Sequence, residues 1–160
     1  HMIGHLQTNK VKYIAPFVSL IHSVDSLKLL HEINKQGKKV NRKVPCLLQV
    51  FIAQEETKFG FDETELFQLI LHFPAELTHI HIRGLMGMAS LTNNAVQIRK
   101  EFTHLRGLFE QLASQPLPAH IEMKELSMGM SSDYAIAVEE GSTLIRIGTA
   151  IFGERNYQKI

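Results

Sequence analysis

The chain has 160 residues, of which 44% are hydrophobic and 21% are charged, and its 17 basic and 16 acidic residues leave a net charge of +1. This balance is ordinary for a globular domain and gives no support to binding of nucleic acid or membranes. The only cysteine, Cys46, excludes an internal disulfide and suits a reducing compartment. Without a long apolar stretch or a signal-peptide pattern, we expect a single cytoplasmic domain.

The predicted elements alternate between strands and helices along the chain. Six strands are predicted, at 1–6, 19–24, 44–52, 79–88, 121–130 and within 142–157. Five helices are predicted, at 7–16, 25–39, 62–73, 93–114 and 132–141. Repeated strand–helix units predict an α/β fold with a parallel sheet and right-handed crossovers. The pattern alone leaves open whether the sheet closes as a barrel or stays open and doubly wound.

Two side chains inside apolar stretches need an explanation. Cys46 lies in VPCLLQVFI, which predicts a buried, unreactive thiol. Arg146 interrupts the apolar sequence STLIRIGTAIF, and burying an unpaired guanidinium costs several kcal/mol. We therefore expect Arg146 either to meet an acidic side chain or to face a group that is not protein.

Candidate binding residues follow the last two predicted strands. In parallel α/β sheets, ligands bind at the carboxyl ends of the strands. Ser131, Ser132 and Asp133 follow one strand and precede a helix. Either Ser132 or Asp133 merely caps that helix, or the group binds an anion. Gly148 and Thr149 follow the next strand and add a second hydroxyl and a second glycine amide. This arrangement is similar to the phosphate site of many barrels.

Other candidate residues have simpler interpretations. His79 and His81 lie on one face of a predicted strand, but no further ligand stands at metal-binding spacing, so structural histidines are favoured. The acidic residues of FDETE at 61–65 fit the first turn of a helix, where the helix dipole favours them. Met86 and Met88 are typical of packing at a strand end. No nucleophile–base pair and no Walker-type loop is evident.

Four segments carry a family resemblance: IGHLQTNK (3–10), KFGF (58–61), RGLMGMA (83–89) and ELSMGMSSDYAIAVEEGSTLIRIGTAIFGER (125–155). Together they resemble the pyridoxal-phosphate homeostasis proteins, single-domain relatives of the alanine racemase barrel. The resemblance runs in order through essentially the whole chain, and its last segment is highly specific. It implies a (β/α)8 barrel that binds pyridoxal 5'-phosphate (PLP) at the carboxyl ends of its strands, and a non-catalytic carrier or regulator role in vitamin B6 homeostasis.

The resemblance also implies roles for single residues. Arg146 of the R-I-G-T pattern is expected to face the pyridine nitrogen of PLP, which would keep that nitrogen unprotonated and weaken the ring as an electron sink. Ser131, together with Gly148 and Thr149, would bind the phosphate. Met86 or Met88 would lie near the ring, and His5 follows the strand end where a ring-facing role is expected.

The chain also departs from the family pattern. Family members begin with a strand ending in the lysine that forms the Schiff base with PLP, and their second strand ends in F-G-E-N. Neither motif is present, so no residue is assigned as the Schiff base. His1-Met2 fits native sequence and a cloning remnant alike. We therefore expect an N-terminally truncated, partial barrel of about six strands in residues 1–160. Its open edges predict a homo-oligomer or a segment supplied by another chain.

Three other functions are compatible with the sequence. One is a PLP-dependent racemase or decarboxylase of the same barrel type, which would need a second acid/base group from elsewhere. The next is a fragment that binds only phosphate-type anions at Ser131 and Thr149. The last is a scaffold fragment without a ligand of its own.

Overall fold

The computed structural model describes residues 1–54 and 59–153, in which five parallel strands form one sheet. The strands are β1 (Ile21–Val24), β2 (Val44–Phe51), β3 (Ile80–Met88), β4 (Ile121–Met130) and β5 (Leu144–Arg146). They follow one another across the sheet in chain order. A doubly wound sheet reverses its strand order at a switch point, whereas this sequential order is that of a barrel. The five strands form a curled half-barrel.

A hydrogen bond across the concave face shows how strongly the sheet curls. β2 and β3 separate β1 from β4, so in a flat sheet these two strands would lie about 14 Å apart. Yet Nδ1 of His22 on β1 lies 2.8 Å from Oγ of Ser127 on β4. Side chains from distant strands therefore meet inside the half-barrel.

Helices connect the strands. After a 3₁₀ turn at Thr8–Lys10, they are α1 (Val11–Ile14), α2 (Leu27–Lys39), α3 (Glu63–Leu71), α4 (Ala95–Ala113), α5 (Tyr134–Glu139) and α6 (Thr149–Phe152). The acidic first turn predicted for α3 is present as a capping box, in which Asp62 accepts from the amide of Glu65 and Glu65 accepts from the amide of Asp62. No described helix is both long and apolar enough to cross a membrane.

The main hydrophobic core lies between the convex face of the sheet and the helices. Alternate residues of β2, among them Cys46 and Leu48, are fully buried on this side, as are Leu30 of α2 and Phe102 of α4. The concave face carries a smaller apolar cluster of Leu20, Leu47 and Met86, with Leu144 packed against it. Among the described residues, helices cover the convex side of the sheet, which leaves its concave side and the carboxyl ends of its strands available for a site.

The structure confirms the α/β class and the partial TIM-type barrel but corrects the strand count from six to five. The predicted strand at 1–6 is reduced to a single parallel bridge between Met2 and Ile21. In this bridge the amide of Met2 donates to the carbonyl oxygen of Leu20, and the carbonyl oxygen of Met2 accepts from the amide of His22. The predicted strand within 142–157 covers only Leu144–Arg146, and residues 149–152 turn into helix α6 instead. Lys58, Glu154 and Arg155 of the family-like segments lie outside the described residues.

Candidate functional site

Two neighbouring strand exits meet at Ser131. Its Oγ accepts hydrogen bonds from the backbone N–H groups of Gly148 and Ala150, at 3.2 and 3.3 Å. Ser131 follows β4, and the two amides follow β5, because parallel strands deliver their carboxyl ends to the same edge. Thr149 stands exposed between the two donors, at the first position of α6. One hydroxyl and two convergent backbone amides therefore meet at this point, and we name this set the amide cup.

Arg146 is the buried cation beside the amide cup. Only 9% of the residue is exposed. Nη1 donates to Oγ of Ser127 at 2.8 Å, and Nη2 donates to the carbonyl oxygen of Gly87 at 3.0 Å. Burial lowers the pKa of Arg146 to about 10, an effect that the charge of Asp133 opposes, so the guanidinium remains charged at neutral pH. No described carboxylate forms an ion pair with it; neutral oxygens take the place of the acidic partner considered from the sequence.

A cavity of about 590 Å3 opens at the carboxyl ends of β2, β3 and β4. Its walls include Gln49 and Phe59 on one side and Met88 on another. The run Met130–Asp133 contributes Met130, Ser132 and Asp133, so the cavity reaches the segment that carries Ser131. Met130 is also the register partner of Arg146, which places the cavity, the amide cup and the guanidinium at one end of the half-barrel.

Hydrogen bonds hold the cavity walls in place. Ser90, in the loop after β3, binds both carboxylate oxygens of Glu101 on α4, through its amide and its hydroxyl, each at 2.7 Å. The same hydroxyl accepts from the amide of Gln54, in the loop after β2, at 2.9 Å. Gln49 donates to the carbonyl oxygen of Phe59 at 3.1 Å. The loops after β2 and β3 are thus tied to each other and to a helix.

The remaining predicted site residues are spread around this end of the barrel. Met88 is 40% exposed and lines the cavity, whereas Met86 is buried in the small concave cluster. His5 lies at the far side, where its Nδ1 is 3.3 Å from Asp25 Oδ2 and its ring tilts against Phe59 at 6.1 Å between centroids. His5 therefore reaches a residue of the cavity wall but is itself not among the lining residues.

The capping interpretation of the segment after β4 is wrong for Asp133. Asp133 precedes α5, but no side-chain hydrogen bond caps that helix. Instead its carboxylate turns back and accepts from the amide of Met130 at 2.6 Å. This closes the turn that presents Ser131, so Asp133 shapes the amide cup rather than the helix.

Two polar residues of the concave face were not found from the sequence. Ser127 and His22 are both buried, and they link to Arg146 through the hydrogen bonds given above. Their bond joins residues 105 positions apart and depends on the curl of the sheet. The available signal in the sequence is that polar residues interrupt the otherwise apolar segments IHSV and LSMGM.

Comparisons with known proteins find a matching family and several relatives of similar sequence. The family described as alanine racemase, N-terminal domain, matches residues 2–156. The pyridoxal phosphate homeostasis protein of Aquifex aeolicus is 41% identical over 157 residues, which cover 98% of this chain and 67% of that protein. The human pyridoxal phosphate homeostasis protein is 36% identical, over 99% of this chain and 59% of its own length. The chain thus spans about three fifths to two thirds of these relatives.

Solved structures agree with the sequence matches. PipY of Synechococcus elongatus, solved with PLP bound, has a TM-score of 0.80 at 34% identity, over 94% of this chain and 68% of that one. An unknown protein from Bifidobacterium adolescentis has a TM-score of 0.83 at 34% identity, over 95% and 60%. An alanine racemase of Clostridium difficile, with a TM-score of 0.63 at 13% identity over 98% and 40%, shares the fold alone.

Proposed function

Since the chain belongs to the alanine racemase N-terminal domain family and, within it, to the pyridoxal phosphate homeostasis proteins, we propose that it binds pyridoxal 5'-phosphate. In this proposal residues 1–160 form one binding domain that acts in cytoplasmic vitamin B6 homeostasis, as a carrier or regulator without catalysis. The outer edge of β5, and that of β1 beyond its bridge to Met2, would be the surfaces for self-association. As the chain spans about two thirds of its curated relatives, the activity of a whole protein is part of the proposal.

One observation carries the proposal: the amide cup lies beside a buried cation that has no described carboxylate as its ion-pair partner. In this proposal the Ser131 hydroxyl and the amides of Gly148 and Ala150, which now donate to that hydroxyl, would bind phosphate oxygens. Arg146 is available as a charged donor toward an acceptor such as a pyridine nitrogen. A relative 34% identical to this chain has been solved with PLP bound.

In this proposal the described residues would hold the phosphate and the ring of PLP, and those that line the cavity offer no covalent anchor. When bound, PLP supplies an aldehyde and an electron-withdrawing ring. Ser131 and the two amides would hold the phosphate, Arg146 would orient toward the ring nitrogen, and Met88 and Phe59 would exclude water. Among the described residues lining the cavity there is no lysine, so retention of the cofactor would rest on noncovalent contacts.

The composition of the cavity supports a role without catalysis. Asp133 is the single titratable side chain among the described lining residues, and its carboxylate is already held by the amide of Met130. Racemisation or decarboxylation of an amino acid needs at least one group within reach of the reacting carbon that can give or take a proton. A buried carboxylate bonded to backbone on the cavity wall is poorly suited to that task.

The proposal is tested by titrating the purified chain with PLP and following the absorbance of the bound cofactor. Pyridoxal, which lacks the phosphate, and inorganic phosphate serve as competitors. We expect saturable binding of PLP, much weaker binding of pyridoxal, and competition by phosphate. Ser131→Ala should raise the Kd for PLP by about tenfold, the effect of losing one hydrogen bond to a charged group.

Ser114→Ala is the control, because this exposed serine lies at the end of α4 and bonds only to the nearby carbonyl of Gln111. Borohydride treatment and intact mass then establish whether any lysine has formed a covalent bond to the cofactor. Equal affinity for PLP and pyridoxal, or no saturable binding of either, would refute the proposal. Displacement by phosphate without any recognition of the ring would favour the anion-only alternative.

A further inference from the structure

A line of three buried polar side chains crosses the concave face, from β1 to β5. Nδ1 of His22 lies 2.8 Å from Oγ of Ser127, which in turn accepts from Nη1 of Arg146 at 2.8 Å. His22 is 2% exposed, and Ser127 is fully buried. At its other end, Nε2 of His22 lies 3.0 Å from Nδ1 of His1. We name His22, Ser127 and Arg146 the concave relay.

The concave relay is not explained by the stability of the fold. It runs across a face that otherwise carries the apolar cluster of Leu20, Leu47 and Met86. Burying a charge and two polar groups there costs free energy of desolvation, and replacing such groups by apolar ones is often neutral or stabilising. A polar network that is fully hydrogen-bonded, however, fixes the position of its members. The arrangement is therefore better explained by the need to place one of the three groups.

Arg146 is the member whose position the contacts determine. Two different nitrogens of its planar guanidinium are held, Nη1 by Ser127 and Nη2 by the carbonyl oxygen of Gly87 at 3.0 Å. Two bonds from one plane to two rigid strands, β3 and β4, fix its orientation as well as its location. Ser127 in turn has a second hydrogen-bond partner in His22, which restricts rotation of its hydroxyl.

We propose that Ser127 and His22 are positioning residues for the cofactor: they hold the Arg146 guanidinium in the plane and at the place where it meets the pyridine ring. This inference rests on the proposed function. It assigns recognition of the ring to a relay that starts on β1, distinct from the amide cup, which recognises the phosphate. Loss of the Ser127 hydroxyl would thus weaken binding of the ring and leave binding of the phosphate intact.

The first test uses the ligand-free protein. Slow rotation of a held guanidinium separates its Nη signals in 15N NMR. We expect separate Arg146 Nη signals in the unmodified chain and merged signals in Ser127→Ala. Ser127→Thr, which keeps the hydroxyl, should restore the separation. Ser23→Ala is the matched control, because Ser23 is a buried serine of β1 whose hydroxyl, within the described part of the chain, donates to the carbonyl oxygen of Gly4.

The second test measures binding of PLP by absorbance and of inorganic phosphate by 31P NMR to the same variants. We expect Ser127→Ala, which removes a hydrogen bond to the charged Arg146, to raise the Kd for PLP by about tenfold. His22→Phe acts only through Ser127 and should raise it less, and the Kd for phosphate should be unchanged in both variants. Ser131→Ala should weaken both. Urea denaturation shows that each variant is folded.

Three outcomes would overturn the inference. One is a Ser127→Ala protein with separate Nη signals and unchanged affinity for PLP. Another is a parallel loss of PLP and phosphate binding in Ser127→Ala, which would indicate a general disturbance of the sheet. The last is an unmodified chain that fails to bind PLP at all. That result refutes the proposed function as well, and is thereby distinguished from the other two.

Discussion

Cys46 illustrates how the position of a single residue decides its chemistry. Its side chain is fully buried on the convex side of β2, and burial raises the pKa of the thiol to about 12. The thiolate is the reactive form of cysteine, so both access and ionisation are suppressed. We expect no reaction with a thiol reagent such as Ellman's reagent at pH 8 in native buffer, and complete reaction in 6 M guanidinium chloride. Rapid labelling of the native chain would contradict the buried position.

At the same scale, the sequence predicts some site residues and not others. The sequence predicts that Ser131 and Gly148 lie close together, because both follow predicted parallel strands and parallel strands place their carboxyl ends at one edge of the sheet. The contact between His22 and Ser127 could not be predicted, since it requires a degree of curl that no local pattern encodes. The partner of Arg146 was missed for the same reason. A sequence shows that a buried cation needs acceptors, but it does not show which strand provides them.

The bulge in strand β3 depends on a single residue, Gly84. Its φ of +141° is strained for other residues, and a Cβ there would lie 1.9 Å from the carbonyl oxygen of Glu125 on β4. Neither backbone can move without breaking the β3–β4 ladder. We expect Gly84→Ala to lower the free energy of unfolding by about 2–4 kcal/mol through strain and overpacking, measured by urea denaturation.

Gly107→Ala is the matched control for this substitution. Gly107 lies exposed in α4, and a Cβ there meets no atom within 4 Å. Alanine should raise the free energy of unfolding by about 0.5–1 kcal/mol, because glycine is unfavourable inside a helix. Equal effects of the two substitutions would show that the close approach at Gly84 is not a constraint on the sheet.

Element boundaries show where pattern-based prediction ends. Helices α2, α3 and α4 were predicted within two residues at either end, because apolar spacing and capping residues mark them. The apolar stretch after Ser142 predicts one strand. In the structure the chain becomes helical at Thr149, next to the backbone amide of Ala150 that donates to the Ser131 hydroxyl. Near the N-terminus, Met2 pairs with Ile21 for a single residue. In both cases tertiary contacts, rather than local propensity, decide the outcome.

At the scale of the whole molecule, the buried histidine of the concave relay couples stability to pH. Burial and the nearby charge of Arg146 lower the pKa of His22 to about 4, from an ordinary value of 6.5. The groups around His22 are the His1 ring and, beyond Ser127, Arg146. Neither of them is acidic, so neither favours a proton on His22. The unfolded chain therefore takes up this proton at higher pH than the folded chain does. By linkage, His22 lowers the stability as the pH falls from 6.5 towards 4, and has no such effect above 6.5.

A separation of about 2.5 pH units between the two pKa values corresponds to about 3–4 kcal/mol, at about 1.4 kcal/mol per unit. This is a large share of the roughly 5–15 kcal/mol by which a domain is stable, so we expect unfolding in urea to become markedly easier between pH 6.5 and 4.5. His22→Gln carries no proton in this range and should flatten that part of the profile, while His72→Gln, which removes an exposed histidine, controls for loss of an imidazole. If the profiles of His22→Gln and the unmodified chain run parallel from pH 6.5 to 4.5, the concave relay does not hold a neutral histidine and the assignment of His22 fails.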